Sequence, residues 1–444
     1  MNWRNYFVGE RARALYLIAA AIAVSGLFKI AAFAREAFIA TRFGLSSVTD
    51  AYFAIQQFPL ALATYAFGAF TLAFVPAYVR SRKEEGTVSW MPGLLLWGSI
   101  LGVLLTAAMA AARQLLVAGL HIRGSADVNS TVLILSACFA PIIATGLWAA
   151  ICTARGHNLW AMSMTGFPYL LMTIALLAVY AAHQLNNLSL PLSMTLGFVS
   201  VGIYSAVRVL FSQPWGKPEL AIWRNSGFRS FLKQLAASSA ENVGYTANQF
   251  LILYFLSMGG AGIISGNTCA MRIAMLAFTL LGMPLQQLIQ AKLATASELD
   301  RPLVFRRWMV RIAALLVPGA ILLLTLRYPI VRLVYMHGKF QETALEIVVS
   351  LMPAWVIYVV VMSLNGALAR YLFILGRGTV YVRVQLAAYV IANLIRVAVA
   401  GRMDTVWILW ASVLAEGISF AVNLRFCLGA TYQQEAPEPA VELA

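Results

Sequence analysis

Charge is what this sequence has least of. Only 11% of its 444 residues are Asp, Glu, Lys or Arg, against roughly a quarter in a soluble domain. The deficit runs the whole length, which excludes a soluble globular chain and makes lipid the solvent. Carboxylates are scarcest, 17 acidic residues against 32 basic ones. In a membrane protein Lys and Arg collect in cytoplasmic loops, so the net charge of +15 does not require nucleic acid as a partner. Histidine is rare too: His121, His157, His183 and His337 are scattered over loops or span ends and form no metal set. Cys138, Cys152, Cys269 and Cys427 all sit inside apolar runs without metal-like spacing, as small buried apolar residues do. There is no Walker loop, dinucleotide fingerprint, zinc signature or nucleophile triad. No catalytic residue, metal or cofactor is therefore expected, and no ATP-driven step within this chain. Met1 to Arg13 is polar and basic without a cleavage-site pattern, so the first apolar run is expected to stay in the protein.

What is present is apolar sequence: 61% hydrophobic residues and a mean hydropathy of +0.79. A span needs about 20 apolar residues. Apolar runs between polar breaks predict an all-α, polytopic bundle of about twelve spans. They cover 14–40, 49–79, 90–112, 131–153, 159–182, 189–212, 231–257, 261–292, 305–327, 346–373, 379–400 and 405–428. Lys and Arg alternate between breaks. Arg4, Arg11 and Arg13 precede the first span; Arg80, Arg82 and Lys83 follow the second; Lys217, Arg224, Arg229 and Lys233 follow the sixth; Arg301, Arg306 and Arg307 follow the eighth. The intervening breaks are poor in them, which predicts two cytoplasmic termini. The polar stretch from Gln213 to Ser230 divides the spans six and six. The expected organisation is an N-terminal six-helix lobe over 1–212, a cytoplasmic linker over 213–230, a C-terminal lobe over 231–430 and a disordered tail over 431–444. Paired lobes of this kind are a common transporter plan.

Ionisable groups at bilayer depth cost about 2.5–3.5 kcal/mol each on insertion scales and persist where they face a wet cavity or a partner. The first span holds Lys29, Arg35, Glu36 and Arg42, with Lys29 well inside the bilayer and two turns from Glu36 on one face. Arg42 and Asp50 fall near the outer water interface. In the second half, Glu241, Asn242, Asn248 and Gln249 interrupt the seventh span, with Glu241 and Asn248 on one helical face. Arg272 follows Asn267 and Thr268 in the eighth span. Lys29, Arg35 and Arg272 around a central cavity would suit a diphosphate, which guanidinium forks bind through paired oxygens; a structural ion pair between Glu241 and Arg272 is the plainer alternative. Arg208, Arg311, Arg396, Glu416 and Arg425 lie nearer span ends and are expected to snorkel. Pro59, Pro76, Pro141, Pro168, Pro284, Pro318 and Pro353, inside or near spans, permit bends.

The run Ala34-Arg35-Glu36, Arg42-Phe43-Gly44, Thr49-Asp50-Ala51-Tyr52-Phe53, Phe58-Pro59, Gly68-Ala69-Phe70 and Ala73-Phe74-Val75-Pro76 resembles the N-terminal hairpin of the MurJ (MviN) lipid II flippase family. That family belongs to the multidrug/oligosaccharidyl-lipid/polysaccharide (MOP) exporter superfamily, whose folds include MATE transporters. Gly338-Lys339-Phe340, after Tyr335, resembles its outer loop between the ninth and tenth spans. The resemblance implies a two-lobed bundle working by alternating access in the bacterial cytoplasmic membrane. It implies a basic cavity for a polyprenyl-diphosphate-linked saccharide, with Arg35, Asp50 and Arg272 at positions of functionally required charge and Lys29 where the family usually has Arg. In the second span, where the family has two Arg followed by an acidic residue, this chain reads Leu62-Ala63-Thr64-Tyr65-Ala66-Phe67. The family also has fourteen spans against about twelve here.

The expectation is thus a transporter rather than an enzyme. Lys29, Arg35 and Arg272 bind the diphosphate, Asp50 and Glu36 act as charge partners in gating, and Glu241 and Asn248 hold a coupling ion. Coupling would draw on Na⁺, H⁺ or the membrane potential, in a monomer. An exopolysaccharide or O-antigen unit in place of lipid II, a cation-coupled multidrug exporter and a non-transporting scaffold are the alternatives.

Overall fold

A computed structural model of the chain describes residues 23–24, 26–85, 88–120, 126–211, 222–277, 289, 293 and 296–435. The start of the first expected span, residues 213–221 of the linker, most of 278–292 and residues 436–444 of the tail lie outside the described residues.

The described residues form helices and no strands. They are α1 (26–43), α2 (Ser47–Ile55), α3 (Gln57–Phe67), α4 (Ala69–Glu85), α5 (Met91–Ala111), α6 (Arg113–Gly119), α7 (Ala126–Ser136), α8 (Phe139–Ala154), α9 (Asn158–Ala181) and α10 (Ser189–Phe211). After a short 3₁₀ turn come α11 (Ser226–Ser257), α12 (Ile263–Ala277), α13 (Arg301–Thr325), α14 (Arg327–Tyr335), α15 (Glu342–Ile374), α16 (Gly378–Val399) and α17 (Val406–Glu435).

Among the described residues eight helices are long and apolar enough to cross a membrane. They coincide with the third to sixth and ninth to twelfth expected spans. Only 11% of the apolar window of α13 is buried, so exposed side chains such as Val310, Leu315, Ile321 and Leu322 have lipid as their solvent. The chain is a multi-pass membrane protein. The four expected spans outside this set are the first two of each half, and they carry the charges expected at the cargo site. The second is broken in the structure: 49–79 is not one helix but α2, α3 and most of α4. The physical reasons are local. Ser46 caps α2 by exchanging hydrogen bonds with Thr49. Gln56, fully buried, makes no side-chain hydrogen bond with described residues at the α2–α3 joint. Gly68 closes α3, where a Cβ would lie 2.8 Å from the Thr64 carbonyl oxygen.

The helices divide into two compact units, one within Met1–Ile39 and Ser46–Thr246, the other Ala40–Leu45 with Ala247–Ala444. The last turn of α1 therefore belongs to the second unit. In the first unit an aromatic cluster of Phe74, Trp90, Phe228 and Phe231 joins α4, α5 and α11. There Trp90 stacks on Phe231 at 5.8 Å and donates its Nε1–H to Ser81 Oγ. Alongside it α1 runs parallel to α9. Phe28 sits on Gly166 and Phe167, Ala31 accepts from Thr173, and Phe38 meets Tyr180. In the second unit Phe305 stacks on Tyr371 at 4.3 Å between α13 and α15.

The turns expose an internal repeat that side chains obscure. Positive-φ residues recur at corresponding turns, Gly44 after α1 and Gly262 just before α12, Gly156 and Gly376 after α8 and α15, and His183 and Gly401 after α9 and α16, at offsets of 218, 220 and 218 residues. Gly156 and Gly376 close the same motif: His157 N–H donates to the Cys152 carbonyl and Arg377 N–H to the Leu372 carbonyl, both at 2.8 Å. This is the six-to-one bond of a left-handed helix end. The short helices α6 and α14, each opening on Arg, follow the third expected span of their halves. Two sequences with little residue identity thus repeat one chain path.

Candidate functional site

In the first unit, four of the expected charges lie on α1 and α2: Lys29, Arg35, Glu36 and Asp50. Arg35 is 2% exposed; its Nη2 pairs with Glu36 Oε1 at 3.2 Å and its Nη1 points at Met172 Sδ at 2.7 Å. Neighbouring residues on a helix do not normally face each other, so both side chains must curl to meet. Burial explains why they do, since an ionised carboxylate or guanidinium in a dry interior is tolerated when paired. Arg35 is therefore not presented to water in this conformation. Lys29, two turns earlier, is half-buried. Asp50 is 5% exposed and sits in the first turn of α2, where the helix dipole favours an anion. Asp50 is thus buried within the protein, whereas Arg42 is exposed.

In the second unit Arg272 lies on α12 and is partly exposed. One turn earlier, Asn267 accepts from Trp355 Nε1–H at 2.7 Å. The two motifs Arg42-Phe43-Gly44 and Gly338-Lys339-Phe340, almost 300 residues apart, meet here. Lys339 N–H donates to the Thr41 carbonyl at 2.7 Å, satisfying one of the orphan carbonyls at the end of α1. Gly338, at φ +65°, lies so close that a Cβ would be 2.4 Å from that same oxygen. Phe340 stacks on Tyr335 at 5.5 Å and anchors the loop.

Glu241 lies on α11. Asn248 is buried one face-repeat further on, and its Oδ1 accepts from Arg396 Nη1 at 2.6 Å. Arg396 is fully buried rather than snorkelling. Its guanidinium also donates to Asn393 Oδ1, Ser412 Oγ and the Ile408 carbonyl. Four neutral oxygens from three helices enclose one fixed cation. Glu416 departs from the span-end expectation in the same way, at 3% exposure. Asn365 Nδ2 donates to its Oε1 at 2.7 Å and Gln385 Nε2 to its Oε2 at 2.8 Å. Ser419 and Asn423 complete the cluster. The pattern was available in the sequence: Ser412, Glu416, Ser419 and Asn423 recur at helical spacing, a polar stripe along one face of an apolar helix.

A family profile described as "Lipid II flippase MurJ" matches residues 39–438. Among curated relatives, the "Probable lipid II flippase MurJ" of Buchnera aphidicola subsp. Acyrthosiphon pisum is 24% identical over 336 residues, 71% of this chain and 64% of that protein. The "Lipid II flippase MurJ" of Burkholderia cenocepacia is 26% identical over 362 residues, 75% of this chain and 68% of that protein. The match thus spans about two thirds of the relatives' length, slightly less for the first. Among solved structures, "Lipid II flippase MurJ, inward closed conformation" aligns with a TM-score of 0.80 at 17% identity, covering 93% of this chain and 87% of that one. An inward-facing MATE-family multidrug transporter of the MOP superfamily aligns at 0.75 and 14% identity, covering 94% of this chain and 99% of that one. At those identities the structures show the fold, a MurJ- and MATE-like helix bundle. The profile match, over most of the chain, places this protein in the lipid II flippase MurJ family.

Proposed function

We propose that the chain is an alternating-access flippase that moves lipid II, a polyprenyl-diphosphate-linked saccharide, across the bacterial cytoplasmic membrane, with both termini in the cytoplasm. The observation that carries this reading is that the charges expected at the cargo site lie on α1, α2 and α12, elements too polar or too short to count as ordinary spans. Lys29 and Arg272 have the exposure needed to meet the anionic diphosphate in this conformation. Arg35 would join them only if its pair with Glu36 opens, so Glu36 acts as a gate on that charge. Asp50 serves as a second charge partner. A cationic drug as cargo is disfavoured, since a basic lining repels it. The absent basic pair in the second span, replaced by Leu62 to Phe67 with Tyr65 accepting a hydrogen bond from Ser239, favours a reading in which another polyprenyl-diphosphate saccharide is accepted.

Complementation tests the reading. The chain is expressed in cells depleted of their lipid II flippase and, separately, in cells lacking an exopolysaccharide flippase. Growth in the first background supports lipid II as cargo. Rescue in the second alone assigns the other saccharide, and rescue in neither, with the protein inserted, refutes the flippase reading.

A further inference from the structure

The second unit contains a buried carboxylate that the cargo site does not use. Glu416, on α17, has no Lys, Arg or His within salt-bridge distance among the described residues. The helices packed against α17 are α15 and α16. Their charged residues are Glu342, Glu346, Arg370, Arg383 and Arg396, and α17 itself adds Arg425 and Glu435; none of these forms an ion pair with it. The groups that do meet it are neutral: Asn365 from α15 and Gln385 from α16. An ionised carboxylate held this way in a membrane interior is costly.

Both oxygens of the acid are met by amide hydrogens and by no cation among the described residues. Asn365 Nδ2 has two hydrogens and three acceptors in reach, Glu416 Oε1 at 2.7 Å, Gln385 Oε1 at 3.1 Å and Ser419 Oγ at 3.1 Å. Ser419 already spends its hydrogen on Gln385 Oε1. Asn423, fully buried, donates to Asn365 Oδ1 at 2.9 Å, while its own Oδ1 finds no donor among the described residues. Apart from the acid the network is neutral, so a charge on Glu416 is offset by amide dipoles alone.

The fold does not demand this cluster. Applying the repeat offset of 218–220 residues, the counterparts of Asn365, Gln385 and Glu416 fall at 145–147, 165–167 and 196–198. Those are Thr145, Gly146 and Leu147; Thr165, Gly166 and Phe167; and Leu196, Gly197 and Phe198. The first unit packs tightly there: a Cβ on Gly166 would lie 2.1 Å from the Phe28 ring and one on Gly197 2.6 Å from the Pro168 carbonyl oxygen. From Val128 to Phe211 that unit has no carboxylate at all. The same chain path is thus built once with close-packed small and apolar residues and once around an acid.

We propose that Glu416, framed by Asn365, Gln385, Ser419 and Asn423, is a reversible proton-binding site through which the second unit senses a proton gradient. The proton comes from water. An O–H bond forms on the carboxylate and the buried charge is neutralised. Sodium fits less well, because each carboxylate oxygen is already faced by an amide N–H where the metal would need open oxygens. The role in transport rests on the flippase reading; proton binding itself does not.

The test uses infrared difference spectra of the full chain in nanodiscs, recorded across a pH titration. The wild type is expected to show a protonated-carboxyl band that Glu416→Gln removes, a loss of one carboxyl per chain, and adding sodium at constant ionic strength leaves the band in place. A band unchanged in Glu416→Gln, or one displaced by sodium, overturns the proposal. Should that variant fail to fold, Gln385→Leu keeps the acid but deletes the donor to Oε2. The band must then move in frequency, and an unmoved band overturns the assignment. In proteoliposomes, Glu416→Gln is expected to flip cargo without responding to an imposed pH gradient. If the wild type flips nothing while the infrared band behaves as expected, the flippase reading fails and the proton site stands.

Discussion

Arg396 offers the sharpest energetic prediction. Arg396→Met keeps most of the volume and removes the donors to Asn248 Oδ1, Asn393 Oδ1, Ser412 Oγ and the Ile408 carbonyl. An acceptor left buried without a donor costs about 1–3 kcal/mol. The hydroxyl and the amides can turn toward other partners, so the low end applies, and the expected loss is about 4 kcal/mol. A double-mutant cycle with Asn248→Ala isolates one contact. Neutral hydrogen bonds between membrane helices average about 0.6 kcal/mol, whereas a bond to a charged donor contributes about 1.5–3 kcal/mol. The 2.6 Å contact to a guanidinium belongs to the second class, so a coupling energy of about 2 kcal/mol is expected in mixed-micelle unfolding. Additivity of the two substitutions to within about 0.5 kcal/mol would mean that the guanidinium and Asn248 do not interact, and the caged-cation account would be wrong.

Three other perturbations probe different parts of the molecule. Gly338→Ala and Gly376→Ala both force a left-handed residue at φ +65° and +73°, but only at Gly338 does the new Cβ strike a neighbour. Gly376→Ala should lose about 1–2 kcal/mol from backbone strain and Gly338→Ala about 1–3 kcal/mol more from the clash with Thr41; equal unfolding midpoints would show that the loop does not hold α1. Arg35→Met alone takes the paired guanidinium from Glu36, which is 2% exposed, and should destabilise the fold by about 3–5 kcal/mol. Adding Glu36→Gln should return most of the folded yield in size-exclusion profiles, and failure to do so would show that the pair is not what Arg35 contributes. Tyr328, between the ninth and tenth spans, donates to Glu342 Oε1 at 2.6 Å, which raises its ionisation above the ordinary tyrosine range. A raised value means the stabilisation is present at neutral pH and is lost as pH climbs through the alkaline range. Ultraviolet titration should show one tyrosine ionising late, returning to normal in Glu342→Gln.

The membrane class, eight of the spans and the family resemblance were legible because each rests on long-range composition or on contiguous motifs. The break of 49–79 into three helices was not, because Gln56 and Gly68 look innocuous in an apolar run; only the packing makes one an orphan amide and the other a closing turn. The repeat was hidden for a related reason. It is carried by left-handed turn positions, Gly44 with Gly262 and Gly156 with Gly376, and not by side-chain identity. Arg396 and Glu416 were misplaced because distance from a span end does not reveal which face of a helix a charge occupies. The helical spacing of Ser412, Glu416, Ser419 and Asn423 carries that information. Arg35, Asp50 and Arg272 could be singled out as intramembrane charges, but a sequence cannot say that Arg35 is spent on its neighbour in one conformation.

The central claim is that this chain flips lipid II using charge held on its polar helices. The direct measurement is lipid II translocation in proteoliposomes containing the purified full chain, beside Arg272→Ala. The wild type is predicted to move lipid II between leaflets, and Arg272→Ala to lose that activity while reconstituting equally well. Equal translocation by the two proteins, or none by either, would contradict the account.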